Sequence, residues 1–151
     1  MAGETTQEPS VNEMRAFAYR LLGRREYSVH ELDQRIRQKW PDAAGVGGLV
    51  SDLAEENLVS DERFTESFVR SRLARHQGPL KIQAALRAKG VSDNLIAAEL
   101  DNHGGQWTGL AREWLARQQA GEIDFKTKQK IYRRLRNRGF THDQSMDALK
   151  T

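Results

Sequence analysis

The sequence contains no cysteine, which excludes disulfide bonds, thiolate metal sites and cysteine nucleophiles. Only three prolines interrupt its 151 residues, and the strand-like alternation of apolar and polar residues is almost absent. No apolar run approaches the length of a membrane span, and no signal-peptide core is present. These absences predict an all-α protein that stays in the cytoplasm and makes no contact with a membrane.

Two segments of the chain, residues 81–100 and 130–149, repeat one pattern. At an offset of 49 residues the apolar positions, a glycine and a hydroxyl cap coincide: Ile82 with Ile131, Leu86 with Leu135, Gly90 with Gly139, and Ser92 with Thr141. The shared pattern predicts a helix, a glycine stop, a cap and a second helix. A fainter third copy lies upstream, where residues 32–36 align with residues 82–86.

A unit of about fifty residues with this pattern cannot bury its apolar face alone, so such repeats stack. We therefore predict three tandem three-helix repeats forming an elongated curved array. Gly90 and Gly139 should each end a middle helix in the left-handed conformation. Extra residues around Gly121 should precede the middle helix of the last repeat. The expected division is a disordered tail and three repeats: 1–11, 12–58, 59–105 and 106–151.

Local signals suggest where individual helices begin and end. Ser28 and Glu31 have the spacing of a capping box. The three glycines within Gly45–Gly48 indicate a loose link before a helix that starts near Gly48. A long helix should extend to His76 before Gly78 and Pro79 start the next one. In the last helix, Met146 and Leu149 should face inward.

No residue pattern supports catalysis or metal binding. The four histidines are not paired at the spacing of metal ligands. The glycines near position 45 lack the strand and the Lys-Ser/Thr pair of a phosphate-binding loop. We expect no enzymatic activity, no metal and no cofactor.

Charge is distributed unevenly. Residues 1–62 have 7 basic and 12 acidic side chains, whereas residues 63–151 have 17 basic and 9 acidic ones. Runs of charge are usually solvated surface, yet a surface that only confers solubility mixes both signs. Between Arg70 and Gly90 there are six cations and no acidic residue. In the helix expected at residues 125–138, four cations lie opposite the apolar face. The candidate residues for binding phosphates or an acidic protein surface are Arg70, Arg72, Arg75, Lys81, Arg87, Lys89, Lys126, Lys130, Arg133 and Arg136.

The run NLVSDERFTESFVRSRLARHQGPLKIQAALRAKGVS, at residues 57–92, resembles the RecX family of bacterial recombination regulators. The upstream Ser28–Leu32 segment resembles the first repeat of that family, and Arg138–Phe140 resembles the end of its third repeat. RecX proteins consist of tandem three-helix repeats, which agrees with the repeats found above. The matching features are Leu58, Asp61, Arg63, Phe64, Phe68, Val69, Arg70, Ser71, Arg72, Gly78, Pro79, Ile82, Leu86, Lys89 and Gly90.

The resemblance implies a non-enzymatic regulator that binds RecA recombinase and its filaments on single-stranded DNA. Such a regulator inhibits RecA ATPase, strand exchange and filament growth, either by lying in the filament groove or by blocking extension. DNA, single- or double-stranded, is a second candidate partner, and we expect a monomer. The alternative is a basic helical-repeat module that binds nucleic acid without sequence preference and competes with RecA for DNA.

Overall fold

The computed structural model describes residues 8–118 and 122–150. Within these ranges the chain forms nine α-helices and no strand, which confirms the all-α prediction. No helix in the described ranges is long and apolar enough to cross a membrane. Gly121 and most of the expected disordered tail lie outside the described residues. The helices are α1 (Val11–Leu22), α2 (Val29–Lys39), α3 (Val46–Glu55), α4 (Asp61–Ala74), α5 (Pro79–Ala88), α6 (Asp93–Asp101), α7 (Trp107–Gln118), α8 (Phe125–Asn137) and α9 (His142–Leu149).

Side-chain caps define most of the helix starts. A side-chain oxygen accepts a hydrogen bond from the backbone N–H three residues later, which satisfies one of the unpaired donors of the first turn. Thr141 and Gln144 form a complete capping box. The box predicted at Ser28 is only half formed, because the Glu31 side chain turns away toward two cations. The residues capping in this way are Ser10, Ser28, Ser60, Ser92, Asp124 and Thr141.

The described chain packs as two compact units. The first contains the described residues up to Phe64 together with Lys89–Val91, and its core comes mainly from α1, α2 and α3. The second contains Thr65–Ala88 and the described residues from Ser92 onward. One core cluster of the second unit joins α7, α8 and α9: Ala111, Trp114, Ile131, Leu135, Phe140, Ala148 and Leu149. The expected repeat boundaries and the elongated, curved arrangement stay predictions.

One packing contact occurs in both units and follows the sequence repeat. In the first unit, the start of α2 lies against the turn at Gly90, and the Ser28 hydroxyl donates to the Lys89 carbonyl oxygen at 2.7 Å. In the second unit, the start of α5 lies against the turn at Gly139. There the N–H of Gly78 donates to the carbonyl oxygen of Arg138, the residue before Gly139, at 2.8 Å. The repeated sequence therefore produces the same contact in both units. This contact, a glycine turn packed against the start of a helix, is named here the joint.

Each joint requires glycine for two reasons. Gly90 and Gly139 have φ values of 79° and 100°, which confirms the predicted left-handed conformation. A Cβ on Gly90 would lie 2.5 Å from the Cβ of His30, and one on Gly139 would lie 2.4 Å from the Cβ of Lys81. Any larger residue would therefore be strained in its backbone and would also collide with the neighbouring helix.

Two predicted helix boundaries are wrong. Gly45, at a φ of 81°, precedes α3, so Gly47 and Gly48 lie inside a helix that begins at Val46. Four buried residues at helical spacing offset the poor helix propensity of these glycines: Val46, Leu49, Val50 and Leu53. Helix α4 ends at Ala74 because His76 takes a left-handed φ of 56°, which ends the helical turn.

The inward orientation predicted for Met146 is also wrong. Its side chain is 44% exposed, whereas Leu149 is buried as predicted. Helix α9 buries the face formed by Ser145, Ala148 and Leu149, and Met146 lies to one side of that face. A short helix with few apolar residues does not define its inward face by sequence alone.

Candidate anion-binding surface

Helix α8 exposes four of the candidate cations. Its apolar positions, Ile131 and Leu135, are buried as the helical period predicts. Within the described chain, no carboxylate forms an ion pair with the four exposed side chains. These cations are named here the α8 strip: Lys126, Lys130, Arg133 and Arg136.

The first turn of α8 is held by Asp124. Its carboxylate accepts a hydrogen bond from the Thr127 N–H at 2.8 Å. This hydrogen bond, with a smaller contribution from the Lys130 charge, lowers the pKa of Asp124. The carboxylate therefore stays charged, where the positive end of the helix dipole also favours it.

Three further candidates, Arg70, Arg75 and Lys81, are also exposed. They lie on α4, just after α4 and on α5, all within the second unit. No carboxylate of the described ranges forms an ion pair with them. Like the α8 strip, their charged groups are available to an external anion.

The other three candidates have partners inside the fold. The Arg72 guanidinium lies 4.4 Å from the centre of the Phe68 ring. The Nε of Arg87 donates to Asp93 at 2.8 Å, and the Nζ of Lys89 donates to a buried carboxylate at 3.0 Å. The acid-free stretch of sequence is therefore not acid-free in space, because carboxylates from other segments approach it.

The buried carboxylate belongs to Glu31. Two nitrogens of Arg25 donate to its oxygens at 3.1 and 3.0 Å, and Lys89 donates from a position 58 residues away in sequence. Burial alone would raise the pKa of Glu31, but the hydrogen bonds from Arg25 and Lys89 outweigh burial and lower it. Lys89 thus has a structural partner, and its role in binding stays a prediction.

The joint in the second unit brings the end of α4 and the start of α5 close to the end of α8. Lys81 lies against Gly139, the residue that follows the end of α8. The Arg138 side chain donates to the carbonyl oxygen of His76 at 2.9 Å and also to that of Arg75. The end of α8 therefore lies beside the end of α4 and the start of α5 within the second unit.

Two arginines at the end of α8 make aromatic contacts within the unit. The guanidinium groups of Arg134 and Arg138 lie 4.9 and 5.3 Å from the ring centre of the buried Trp114. Partial burial, and then the charge of Arg134, lower the pKa of Arg138. These two arginines stabilise the packing of α8 on α7, whereas the α8 strip makes no such contact.

Each histidine has a local structural contact, and none is part of a metal site among the described residues. The buried His76 has its Nε2 3.3 Å from a Glu113 oxygen. The Nε2 of His103 lies 3.3 Å from a side-chain oxygen of Glu99, which is one turn earlier. The remaining two are His30, against Gly90, and His142, against Tyr132.

Sequence reasoning missed a groove between α8 and α9. Its volume is about 780 Å³, and Phe125 at one end is 76% exposed. The signal was a helical spacing of i, i+3, i+4 and i+7 on α8, which places four residues on one face. The groove is lined by Phe125, Lys128, Gln129, Tyr132, Arg133, His142, Met146, Leu149 and Lys150.

Known proteins resemble this chain over most of its length. A family model described as RecX, second three-helix domain, matches residues 60–100. The regulatory protein RecX of Chromohalobacter salexigens is 41% identical over 133 residues, which cover 87% of this chain and 88% of that protein. The regulatory protein RecX of Halorhodospira halophila is 37% identical and is covered to 83% of its length.

Solved structures share the fold. The crystal structure of RecX from Lactobacillus salivarius has a TM-score of 0.78 at 20% identity, and the match covers 92% of this chain and 94% of that one. A second crystal structure, of a regulatory protein RecX, has a TM-score of 0.70 and covers 90% and 71% of the two chains. The structural likeness establishes the fold, and the sequence relatives establish the family. This chain belongs to the RecX family of regulatory proteins.

Proposed function

We propose that this chain binds RecA and RecA filaments on single-stranded DNA, and inhibits RecA ATPase, strand exchange and filament growth. Its family membership supports a regulatory role, and the RecX resemblance implies RecA as the target. One observation supports this function best. Seven exposed cations of the second unit form no ion pair with a carboxylate of the described residues. A filament with DNA phosphates and acidic protein surface is a partner of the complementary charge.

The inhibition would follow from binding alone, without a reaction catalysed by this chain. A filament repeats the same surface at every protomer, so separate contacts from one regulator raise each other's effective concentration. Contacts to neighbouring protomers would oppose the rearrangements that accompany ATP turnover. Contacts at a filament end would block the addition of the next protomer. We favour binding along the filament groove, in which both groups of exposed cations can contact protomers or DNA together.

The second candidate function is non-specific nucleic-acid binding that competes with RecA for DNA. The same exposed cations support it, since phosphate contacts give affinity without sequence preference. The two functions differ in their preferred target, which is the assembled filament in the first and bare DNA in the second.

Affinity measured over a series of salt concentrations tests both functions. The labelled chain is titrated with RecA–single-stranded DNA filaments and, separately, with the same DNA alone. The regulator reading predicts tighter binding to the filament, together with loss of RecA ATP turnover at matching concentrations. Equal affinities with equal salt slopes would instead support competition for DNA. ATP hydrolysis by the chain itself would contradict a non-enzymatic regulator.

We further propose that the chain acts as a cytoplasmic monomer. Light scattering coupled to size-exclusion chromatography measures the mass of the free chain. A stable dimer at working concentration would contradict this part of the proposal.

A further inference from the structure

The groove between α8 and α9 presents apolar side chains that the fold does not bury. Phe125 is 76% exposed, and Met146 across the groove is 44% exposed. Between them, the Tyr132 hydroxyl and the Nδ1 of His142 share a hydrogen bond of 2.7 Å, and the two rings meet edge to face. The groove wall is therefore ordered, while its ends offer apolar surface that solvent contacts.

Helix α8 begins a turn earlier than its counterparts in the other repeats. Helices α2 and α5 begin three residues before the first matched apolar position, whereas Phe125 begins α8 six residues before Ile131. Phe125 lies on this extra turn. At the starts of α2 and α5, a glycine turn packs against the helix, but none of the described glycines approaches the start of α8. The fold of the described chain thus gives Phe125 no comparable packing role.

Cations surround this apolar surface. Lys128, Arg133 and Lys150 line the groove, and no carboxylate is among its lining residues. Lys150 contacts Asp147 at 3.4 Å, in an exposed pair of the kind that contributes little. A groove lined by exposed apolar side chains and cations, without a carboxylate, is complementary to an acidic segment that has an apolar anchor.

The floor of the groove suits a protein segment better than single-stranded nucleic acid. Met146 and Leu149 are aliphatic, and a flexible methionine adapts to the shape of a bound side chain. Nucleic-acid sites stack successive bases on successive aromatic faces. Here the edge contact with His142 occupies Tyr132, and only Phe125 presents a large free surface.

We propose that this groove docks an acidic segment of RecA, with an apolar side chain of that segment held between Phe125 and Met146. The inference rests on the function proposed above, and it adds a specific site and the chemistry of the docked segment. The cations of the groove attract an acidic segment. Phe125 and Met146 then provide the short-range apolar contact that gives affinity. A second copy of this chain would not dock through the same groove, because two such cationic surfaces repel each other. Docking of the acid-rich residues 1–62 of a second copy is a distinct outcome, which the cross-linking test below separates from docking of RecA.

The first test is an apolar truncation with a matched control. Phe125→Ala combined with Met146→Ala should weaken binding to RecA filaments about ten-fold, as loss of an apolar anchor contact does. Binding to bare single-stranded DNA should not change, since no cation is removed. Val11→Ala, at a position 54% exposed on α1, removes apolar surface in the first unit and should leave filament binding as it is. Circular dichroism checks that all variants keep their helicity.

The second test identifies what contacts Phe125. A photoreactive p-benzoyl-phenylalanine replaces Phe125 in the full chain, which is then irradiated with RecA filaments on labelled single-stranded DNA. Covalent transfer to an acidic stretch of RecA, located by mass spectrometry, is the expected result. Transfer to DNA or to a second copy of the chain would overturn the groove proposal. So would an absence of transfer while the chain still inhibits RecA.

These outcomes separate the two proposals. If the unmodified chain binds and inhibits filaments while the double variant binds equally well, only the groove is wrong. If the unmodified chain does not bind filaments at all, the proposed function fails, and the groove proposal fails with it.

Discussion

At the scale of single residues, two glycines with the same backbone conformation have different surroundings. Gly45 and Gly90 have φ values of 81° and 79°. No atom lies within 4 Å of the position that a Cβ would take on Gly45, whereas on Gly90 it would lie 2.5 Å from the Cβ of His30. The pair therefore separates backbone strain from steric overlap.

Replacing each of these glycines with alanine should destabilise the fold to different extents. Gly45→Ala incurs only the left-handed strain, about 1–2 kcal/mol. Gly90→Ala also forces α2 away from the turn, so its total cost should be about 2–4 kcal/mol. Urea unfolding of both variants measures the difference. Equal costs would mean that the joint yields freely and does not hold the first unit together.

A second residue-scale feature is the buried carboxylate of Glu31. Its folded pKa is lowered, so its contribution to stability is present above the ordinary glutamate value of about 4.5 and disappears as the pH falls through the folded value. Glu31→Gln should cost about 1–2 kcal/mol at neutral pH, since it weakens hydrogen bonds to two cations. The difference in free energy of unfolding between wild type and Glu31→Gln should disappear at acidic pH.

The matched control is Asp33→Asn, which breaks the more exposed pair with Arg37 one turn away. That change should cost no more than about 0.5 kcal/mol at any pH. Urea unfolding of wild type and both variants at neutral and acidic pH gives the three curves. If the loss of unfolding free energy in Glu31→Gln stays constant with pH, the charge of the carboxylate does not stabilise the fold.

Local residue roles were predictable where the cause is local. The cap at Thr141 and the left-handed glycines follow from a few neighbouring residues, and the structure confirms them. The partners of Glu31 were not predictable, because Lys89 reaches it from 58 residues away. The apolar character of Met146 predicts an inward side chain, but the packing of α9 as a whole decides which face is buried.

At the scale of helices, α8 separates its charges by face. The helical period predicted that the four cations of the α8 strip face solvent, because Ile131 and Leu135 identify the buried side. The period did not predict that Arg134 and Arg138 pack on Trp114, which requires knowing where α7 lies. It also did not predict the groove, because half of the groove comes from α9.

Removing the α8 strip should weaken binding without unfolding the helix. Lys126→Ala, Lys130→Ala, Arg133→Ala and Arg136→Ala change only exposed side chains, and alanine favours helix. If the strip binds phosphates, the slope of log affinity against log salt should become shallower by about 0.7 for each phosphate of single-stranded DNA that is no longer neutralised. Fluorescence anisotropy with labelled filaments and labelled DNA measures both slopes.

A charge-matched control separates position from net charge. Lys126→Ala with Arg136→Ala removes two charges from the strip, and Arg24→Ala with Arg35→Ala removes two exposed charges from the first unit. The strip pair should weaken binding more than the other pair does. If both pairs weaken it equally, only overall charge matters and the strip is ordinary solvated surface.

At the scale of the whole molecule, the joint in the second unit limits which experiments are informative. A chain truncated before α7 would lack Gly139 and Arg138, whose carbonyl oxygens accept hydrogen bonds from the N–H groups of Leu80 and Gly78. It would also lack the Arg138 donors to the end of α4. Such a chain is expected to be less stable, so weaker inhibition would not identify a binding surface. Substitutions on exposed side chains avoid this problem.

Separate and combined substitutions then test whether the two groups of exposed cations act together. One variant has Arg70→Ala and Arg75→Ala, a second has Lys126→Ala and Lys130→Ala, and a third has all four changes. If both groups contact the filament at once, the reductions in binding free energy should add to within about 0.5 kcal/mol in the combined variant. Inhibition of RecA ATP turnover should weaken in the same order, because each group then contributes to a single linked attachment. If one of the two pairs leaves binding unchanged, and the combined variant binds no more weakly than the other pair, only one group meets the filament. Simultaneous contact along the groove would then be wrong.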